Sequence, residues 1–153
     1  MATTVVVHDA ITEGWEGNVQ PYALQPEPLI HGARLRRMVK EAVIDMTGGA
    51  GTVTATSFIP AGAYNVQFTM RVTTVIVGAG AASMIIGDGT DTDIFGATIA
   101  FAAGTLVTPA SGTAAPSRYA SAANLVFTAN AGQFDTGVVR VVMFYNLATA
   151  PTS

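Results

Sequence analysis

The segment from Tyr64 to Val77 carries the strongest structural signal in the sequence. In its first nine residues apolar and polar side chains alternate one by one, which is the period of a strand with one buried face. A strand of this length can run through a whole small domain, so other strands must pair beside it and cover its apolar face. We therefore predict that this segment lies at the centre of an all-β core.

Further alternating or β-branched runs lie on both sides of this segment in the sequence, separated by clusters of turn-forming residues. Residues 35–45 also contain helix formers, so a helix is an alternative there, although the alternation favours a strand. Residues 138–147 are apolar on both faces, which predicts one face on the core and the other against a neighbouring subunit or an arm. About eight short strands with turns roughly every ten residues predict an antiparallel β-sandwich of jelly-roll-like type.

The first 36 residues have a different character, with three prolines at positions 21, 26 and 28 and no sustained periodicity. Prolines at this density predict an extended N-terminal arm with at most one short element. We expect the arm to occupy residues 1–36, the sandwich 37–148 and a tail 149–153. The arm also holds apolar residues that need an apolar surface, on its own domain, a sister subunit or another protein: Val5, Val7, Trp15, Tyr22 and Leu24.

Charge is scarce, at 11% of the residues against about 25% in an ordinary soluble domain, and half of the residues are hydrophobic. No run approaches the roughly 20 apolar residues of a membrane-spanning helix, so we predict no membrane contact. Part of the subunit surface is instead expected to be buried in a homo-oligomer. A net charge of −3 predicts no nucleic-acid partner.

Four basic residues cluster at the entry to the first predicted strand. They are either solvated and salt-bridged or dock against an acidic partner: Arg34, Arg36, Arg37 and Lys40. The sequence has no cysteine, which excludes disulfides and thiolate metal sites. The N-terminus lacks a basic signal-peptide region, so we expect synthesis in a cytoplasm.

Two short patterns suggest ligands, and each has a structural interpretation. The strand that ends in Gly78-Ala79-Gly80-Ala81-Ala82-Ser83 matches a dinucleotide fingerprint, but no room is left for the required helix, which favours a hairpin loop. Asp88, Asp91 and Asp93 supply oxygen ligands of the kind that Ca²⁺ prefers. Aspartate and glycine are also typical of tight turns, and we favour a structural turn over a metal site.

No catalytic constellation is visible in the sequence. His8 and His31 lie 23 positions apart in the arm, without a nucleophile or an orienting carboxylate near them. Trp15 and Tyr22 could stack on a sugar, although anchoring of the arm is favoured. We predict no enzyme activity and no cofactor.

Several short segments together resemble a β-sandwich domain of tailed-bacteriophage virion proteins. The resemblance covers about residues 37–148 and rests on Ile59-Pro60-Ala61-Gly62, Arg71-Val72-Thr73-Thr74, Gly87-Asp88-Gly89-Thr90-Asp91-Thr92-Asp93-Ile94-Phe95-Gly96, Phe134-x-x-Gly137 and Val139-Arg140-Val141. In that group the domain occurs in head-decoration, fibre and tail-associated proteins, commonly as trimers and in non-enzymatic roles.

The resemblance implies a capsid decoration, or cement, protein, because no long stalk of the fibre type accompanies the domain. It would act as a homotrimer on the major capsid protein at the exterior of the virion. A fibre, tail-associated or receptor-binding (adhesin) domain is the alternative, with loops such as 110–121 as the recognition site. The residues we expect at interfaces are Val5, Val7, Trp15, Tyr22, Leu24, Arg34, Arg36, Arg37, Val138, Val142 and Phe144.

Overall fold

The computed structural model describes residues 5–10, 34–107, 116 and 118–149. Over these residues the chain forms nine β-strands and no helix. The strands are β1 Val5–Ala10, β2 Arg34–Asp45, β3 Thr52–Ile59, β4 Ala63–Val77, β5 Ser83–Gly87, β6 Gly96–Ala100, β7 Leu106–Val107, β8 Ala123–Ala129 and β9 Thr136–Thr149.

The strands form two antiparallel sheets. The five-stranded sheet has the order β1-β2-β9-β4-β7, and the four-stranded sheet has the order β3-β8-β5-β6. Every paired neighbour is antiparallel. The predicted all-β antiparallel sandwich is confirmed.

The core consists of apolar side chains from both sheets. Along β4, Val66, Phe68, Met70 and Val72 are buried, and the residues between them are exposed or only half-buried. Across the core the rings of Phe68 and Phe95 meet edge to face, with their centroids 4.5 Å apart. The burial of every second residue agrees with the alternation in the sequence.

Residues 34–45 form a strand, and the helix alternative for this segment is wrong. β2 pairs with β9 without a register shift, from Arg34 opposite Thr149 to Asp45 opposite Val138. This ladder runs along all twelve residues, and β1 pairs with residues 39–44 on the other side, which outweighs the helix propensity of the individual side chains. β2 therefore includes positions 34–36, which the prediction gave to the arm, and residues 5–10 of the arm pair with it as β1.

The segment between β4 and β5 is not the hairpin loop that the sequence suggested. β4 belongs to the five-stranded sheet and β5 to the four-stranded sheet, so this segment carries the chain from one sheet to the other. Glycines signal a turn, but the pairing of strands depends on residues far apart in the sequence. A strand begins at Ser83, so no helix follows the glycine pattern.

Candidate interaction surface

The outward faces of the two sheets differ in chemistry. The four-stranded sheet presents mainly uncharged polar side chains, among them Thr52, Thr54, Thr56, Asn124 and Thr128. The five-stranded sheet presents arginines, carboxylates and valines. We call its outward positions the outer face, and they are Arg37, Val39, Glu41, Val43, Asp45, Gln67, Thr69, Arg71, Leu106, Val138, Arg140, Val142, Phe144 and Asn146.

Three predicted interface residues, Val138, Val142 and Phe144, lie together on the outer face along β9, and each is half-buried. The Arg37 guanidinium lies over the Phe144 ring, 5.7 Å from its centroid, which is a cation–π contact between neighbouring strands. The structure therefore places four predicted interface residues on one surface.

An ion pair joins β9 to β2 on the same face, where the Arg140 guanidinium donates to the Glu41 carboxylate. This hydrogen bond, together with the negative charge of Glu41, raises the pKa of Arg140. The Arg140 side chain is 60% exposed, so water screens the pair and its contribution to folding is small.

One row crosses the outer face through four strands. Val43 lies opposite Arg140, Arg140 opposite Arg71, and Arg71 opposite Leu106. Two arginines are thus direct cross-strand neighbours, an arrangement that is unfavourable between like charges. Glu41 compensates Arg140, whereas Arg71 has no ion pair among the described residues.

Large exposed apolar side chains also concentrate on the five-stranded sheet. Val75, Val77 and Leu106 are 50%, 54% and 61% exposed, and they lie on β4 and β7. We call these three residues the β4–β7 edge. The sequence analysis missed them as contact residues, because register shifts beyond Val72 interrupt the simple alternation of β4. The one available signal in the sequence was that Val75 and Val77 continue the face of β4 that carries Arg71, which was expected to point outward.

A groove of about 480 Å³ opens where the outer face meets the segment at Pro116. Amide, guanidinium and aromatic groups line it, from Arg37, Asn65, Gln67, Phe144 and Asn146 among others. Asn65 has a φ of 51° at a register shift between β4 and β9, a conformation that asparagine tolerates better than most residues. The groove can hydrogen-bond to a ligand and stack on it, and the buried Val66 and Tyr145 add apolar surface to its lining.

The predicted aspartate cluster forms a turn between β5 and β6. Asp88 Oδ1 accepts hydrogen bonds from the backbone N–H groups of Thr90 and Asp91, at 2.8 Å each. Asp91 Oδ1 accepts from the N–H of Asp93 at 3.2 Å. This is the bonding of an Asx turn. Within the described parts of the chain, no group of three or more histidine, cysteine or acidic residues could hold a metal ion.

Tyr119 ties this turn to a neighbouring loop. Its hydroxyl donates to Asp88 Oδ2 at 3.3 Å, and its backbone N–H donates to the carbonyl of Ala63 at 2.8 Å. Burial raises the pKa of Tyr119 most, and the Asp88 charge and hydrogen bond raise it further. A cavity of about 400 Å³ lies beside this pair, lined also by Arg118 and Asn124. Because Asp88 already accepts three hydrogen bonds, the arrangement is suited to structural support.

The remaining predicted interface residues are placed only in part. Val5 and Val7 belong to β1, opposite the buried residues Ile44 and Ala42. Arg34 begins β2, and the side chain of Arg36 is exposed. Trp15, Tyr22 and Leu24 lie outside the described residues, as does most of the loop 110–121 that the adhesin alternative requires.

A search of the described residues finds no helix long and apolar enough to cross a membrane.

Comparisons with known proteins give one structural neighbour of interest. No protein-family model matches the sequence, and no curated protein shows a significant match. Among solved structures, a chain of the cyanophage Pam1 capsid asymmetric unit has a similar fold, with a TM-score of 0.53 and 16% sequence identity. The similarity covers 72% of this chain and 84% of that chain. At this identity the likeness concerns the fold alone.

Proposed function

We propose that the protein is a non-enzymatic structural component of a phage virion, a decoration protein that binds the exterior of the head and stabilises its shell. The observation that carries the proposal is the fold shared with a chain of a cyanophage capsid, over 84% of that chain. The match covers a larger share of that chain than of this one, so that chain is the shorter of the two. A small capsid component is the role that a protein of this size and fold fits.

The strand order supports a jelly roll, a fold common in viral capsid domains. Apart from β1, the strands can be drawn as one long antiparallel ribbon that is folded back on itself between β5 and β6. Its paired strands are β2–β9, β3–β8, β4–β7 and β5–β6. Rolling the ribbon adds the pairs β9–β4 and β8–β5, which complete the two sheets. Consecutive strands then alternate between sheets, as they do from β2 to β5.

The partners we propose are further copies of the chain, as a homotrimer, and the major capsid protein. Self-association uses the β4–β7 edge, because its three side chains are large, apolar and at least half exposed. Burial of apolar area contributes about 25 cal/mol per Å². Several equivalent contacts on one shell then multiply the strength of attachment. The corresponding location is the capsid exterior, after synthesis in the host cytoplasm.

Quantitative mass spectrometry of purified virions tests this role. A decoration protein is expected in copy numbers comparable to those of the major capsid protein, and antibody labelling should mark the heads. A few copies per particle, or label confined to the tail, would overturn head decoration in favour of the fibre or tail-associated role.

A receptor-binding role is the second candidate, and the groove is the observation that favours it. Three amides, the Arg37 guanidinium and the Phe144 ring converge there, which are groups that hydrogen-bond to a sugar or stack on it. Binding on a glycan array that is lost in Asn146→Ala and kept in Thr54→Ala would favour this role over decoration.

A further inference from the structure

The groove on the outer face is assembled by the register of three neighbouring strands. Arg37 on β2 lies directly opposite Asn146 on β9. At the next outward position of β9, Phe144 lies opposite Gln67 on β4, and Asn65 lies in the register shift that precedes Gln67. All five residues line the groove. Paired strands hold side chains more precisely than loops do, so these five groups form a well-defined set.

The charge of the groove is positive. Arg37 is the only charged residue among the described residues that line it, and it forms no ion pair with another described residue. The amides of Asn65, Gln67 and Asn146 form no side-chain hydrogen bond with described residues either. An uncompensated cation beside three amides favours a polar ligand that carries negative charge.

Phe144 holds the Arg37 guanidinium in place. The guanidinium lies 5.7 Å from the centroid of the Phe144 ring, and this cation–π contact restricts the side chain without using any of its N–H donors. A guanidinium binds a carboxylate through two parallel hydrogen bonds, and it loses less entropy when it is already oriented. Arg37 is therefore suited to bind a carboxylate, and Phe144 acts as a positioning residue.

The amides indicate which kind of carboxylate ligand fits. Each amide both donates and accepts hydrogen bonds, as each hydroxyl group of a sugar does. The volume of about 480 Å³ is that of a small-ligand site. An acidic peptide fits less well, because peptides commonly bind by adding a strand to a sheet edge, whereas β9 is already paired with β2 and β4. Carboxylate and hydroxyl groups together are the chemistry of an acidic sugar.

We propose that the groove binds an acidic saccharide, in which the carboxylate of a uronic or sialic acid pairs with Arg37. Asn65, Gln67 and Asn146 bind the hydroxyl groups of the same sugar. The inference rests on the receptor-binding candidate, whose ligand class it names, and head decoration does not depend on it.

A glycan array, read at several concentrations of the full-length protein, tests the charge requirement. Each probe is a saccharide with a uronic or sialic acid, printed beside its methyl ester, which has the same hydroxyl groups and no charge. We expect at least one acid to bind about tenfold more tightly than its ester, the effect of hydrogen bonds to a charged group. Arg37→Gln should abolish this preference. Arg71→Gln removes the same charge from an exposed residue of the outer face outside the groove and should leave the preference unchanged.

The positioning role of Phe144 provides the second arm of the test. Phe144→Leu should reduce the preference for the acid over its ester, because the guanidinium loses the ring that orients it. Phe144→Tyr keeps an aromatic ring at this position and should keep the preference. Circular dichroism of each variant checks that the sheets are intact.

The possible failures of this inference differ from those of the proposed roles. Equal binding of acid and ester would overturn the acidic ligand and leave a receptor-binding role for neutral sugars. Acid binding that survives Arg37→Gln would overturn the assignment to this groove. No binding to any saccharide would overturn the receptor-binding candidate together with this inference, and a polyglutamate peptide bound instead would indicate an acidic protein partner. Head decoration is decided separately, by the copy number per virion.

Discussion

At the scale of single residues, Asp88 shows most clearly how a polar side chain is accommodated in this fold, because it is the buried polar residue of the described core. A buried carboxylate is costly unless hydrogen bonds satisfy it, and both of its oxygens accept bonds, from two backbone N–H groups and from Tyr119. The glycine before it allows the turn to close, since a Cβ at Gly87 would lie 2.1 Å from the carbonyl oxygen of Asp91. Sequence reasoning favoured a turn here, but nothing local to residues 87–93 could reveal the contribution of Tyr119 from 31 positions away.

Replacing Asp88 should therefore destabilise the fold far more than replacing its neighbour Asp93. We expect Asp88→Ala to lower the free energy of unfolding by about 3 kcal/mol, because three donors lose their acceptor. Asp93→Ala, at an exposed position, should change it by less than about 0.5 kcal/mol. Urea unfolding measures both. Equal effects of the two substitutions, or a rise in the wild-type melting temperature on addition of Ca²⁺, would contradict a purely structural turn.

Tyr119 should make stability depend on alkaline pH. Its pKa is raised in the folded state, so its contribution is complete below the pKa of about 10 of an unfolded tyrosine and declines as the pH rises above that value. Tyr119→Phe should lose about 1 kcal/mol at neutral pH with the hydrogen bond to Asp88. It should also lose less further stability than the wild type between about pH 9 and about pH 11. Parallel pH profiles for the two proteins would show that Tyr119 is not responsible.

At the scale of strands, the sequence predicted best where alternation is long. β4 alternates clearly over its first nine residues, and its buried face there is the one expected. β9 is apolar on both faces, and its core face is the one that carries Val139, Val141 and Met143. β2 was ambiguous because lysine, glutamate and alanine favour helices, and only its pairing with β9 decides its conformation. The transfer of the chain between sheets after Val77 could not be predicted, since a glycine-rich turn is compatible with a hairpin and with a crossing. The contact residues Val75 and Val77 were missed for a related reason, the register shifts that follow Val72.

The crossing loops make close contacts that can be tested at two glycines. Gly132 and Gly104 both have positive φ, at 66° and 85°, but a Cβ at Gly132 would lie 1.8 Å from the carbonyl oxygen of Ala79, whereas Gly104 has open space around it. Gly104→Ala should cost only the backbone strain of about 1 kcal/mol. Gly132→Ala should cost at least about 2 kcal/mol more, because the β4–β5 loop must move. Thermal unfolding of both variants measures the difference. Similar costs of the two substitutions would mean that Gly132 does not contact the β4–β5 loop at Ala79.

At the scale of the whole molecule, the outward faces of the two sheets differ in chemistry. Threonine and asparagine side chains on the outward face of the four-stranded sheet hydrogen-bond to water without carrying charge. The low charge content of the chain therefore does not by itself require that this face be buried in an interface. The five-stranded sheet carries the large exposed apolar residues of the described chain, together with Arg71, which has no ion pair within the described ranges, and we propose it as the contact surface. The sequence predicted contact residues on the last strand. The structure adds the exposed apolar residues of the β4–β7 edge as further candidates.

A polar substitution at this edge should weaken self-association without affecting the fold. Leu106→Asp should shift the protein towards monomers and leave its unfolding midpoint within about 0.5 kcal/mol of the wild type, since Leu106 is largely exposed in the subunit. Thr54→Asp adds the same charge to the four-stranded sheet and should leave association unchanged. If both variants associate like the wild type, the β4–β7 edge is not the contact.

The central claim is that this subunit buries its exposed apolar residues in a homo-oligomer. The mass of the full-length protein, measured by light scattering at micromolar concentration, tests this claim most directly. Three subunits of 15.7 kDa in one particle is the mass expected for the wild type. A stable, soluble species of 15.7 kDa, with Val75, Val77 and Leu106 left in water, would contradict the account.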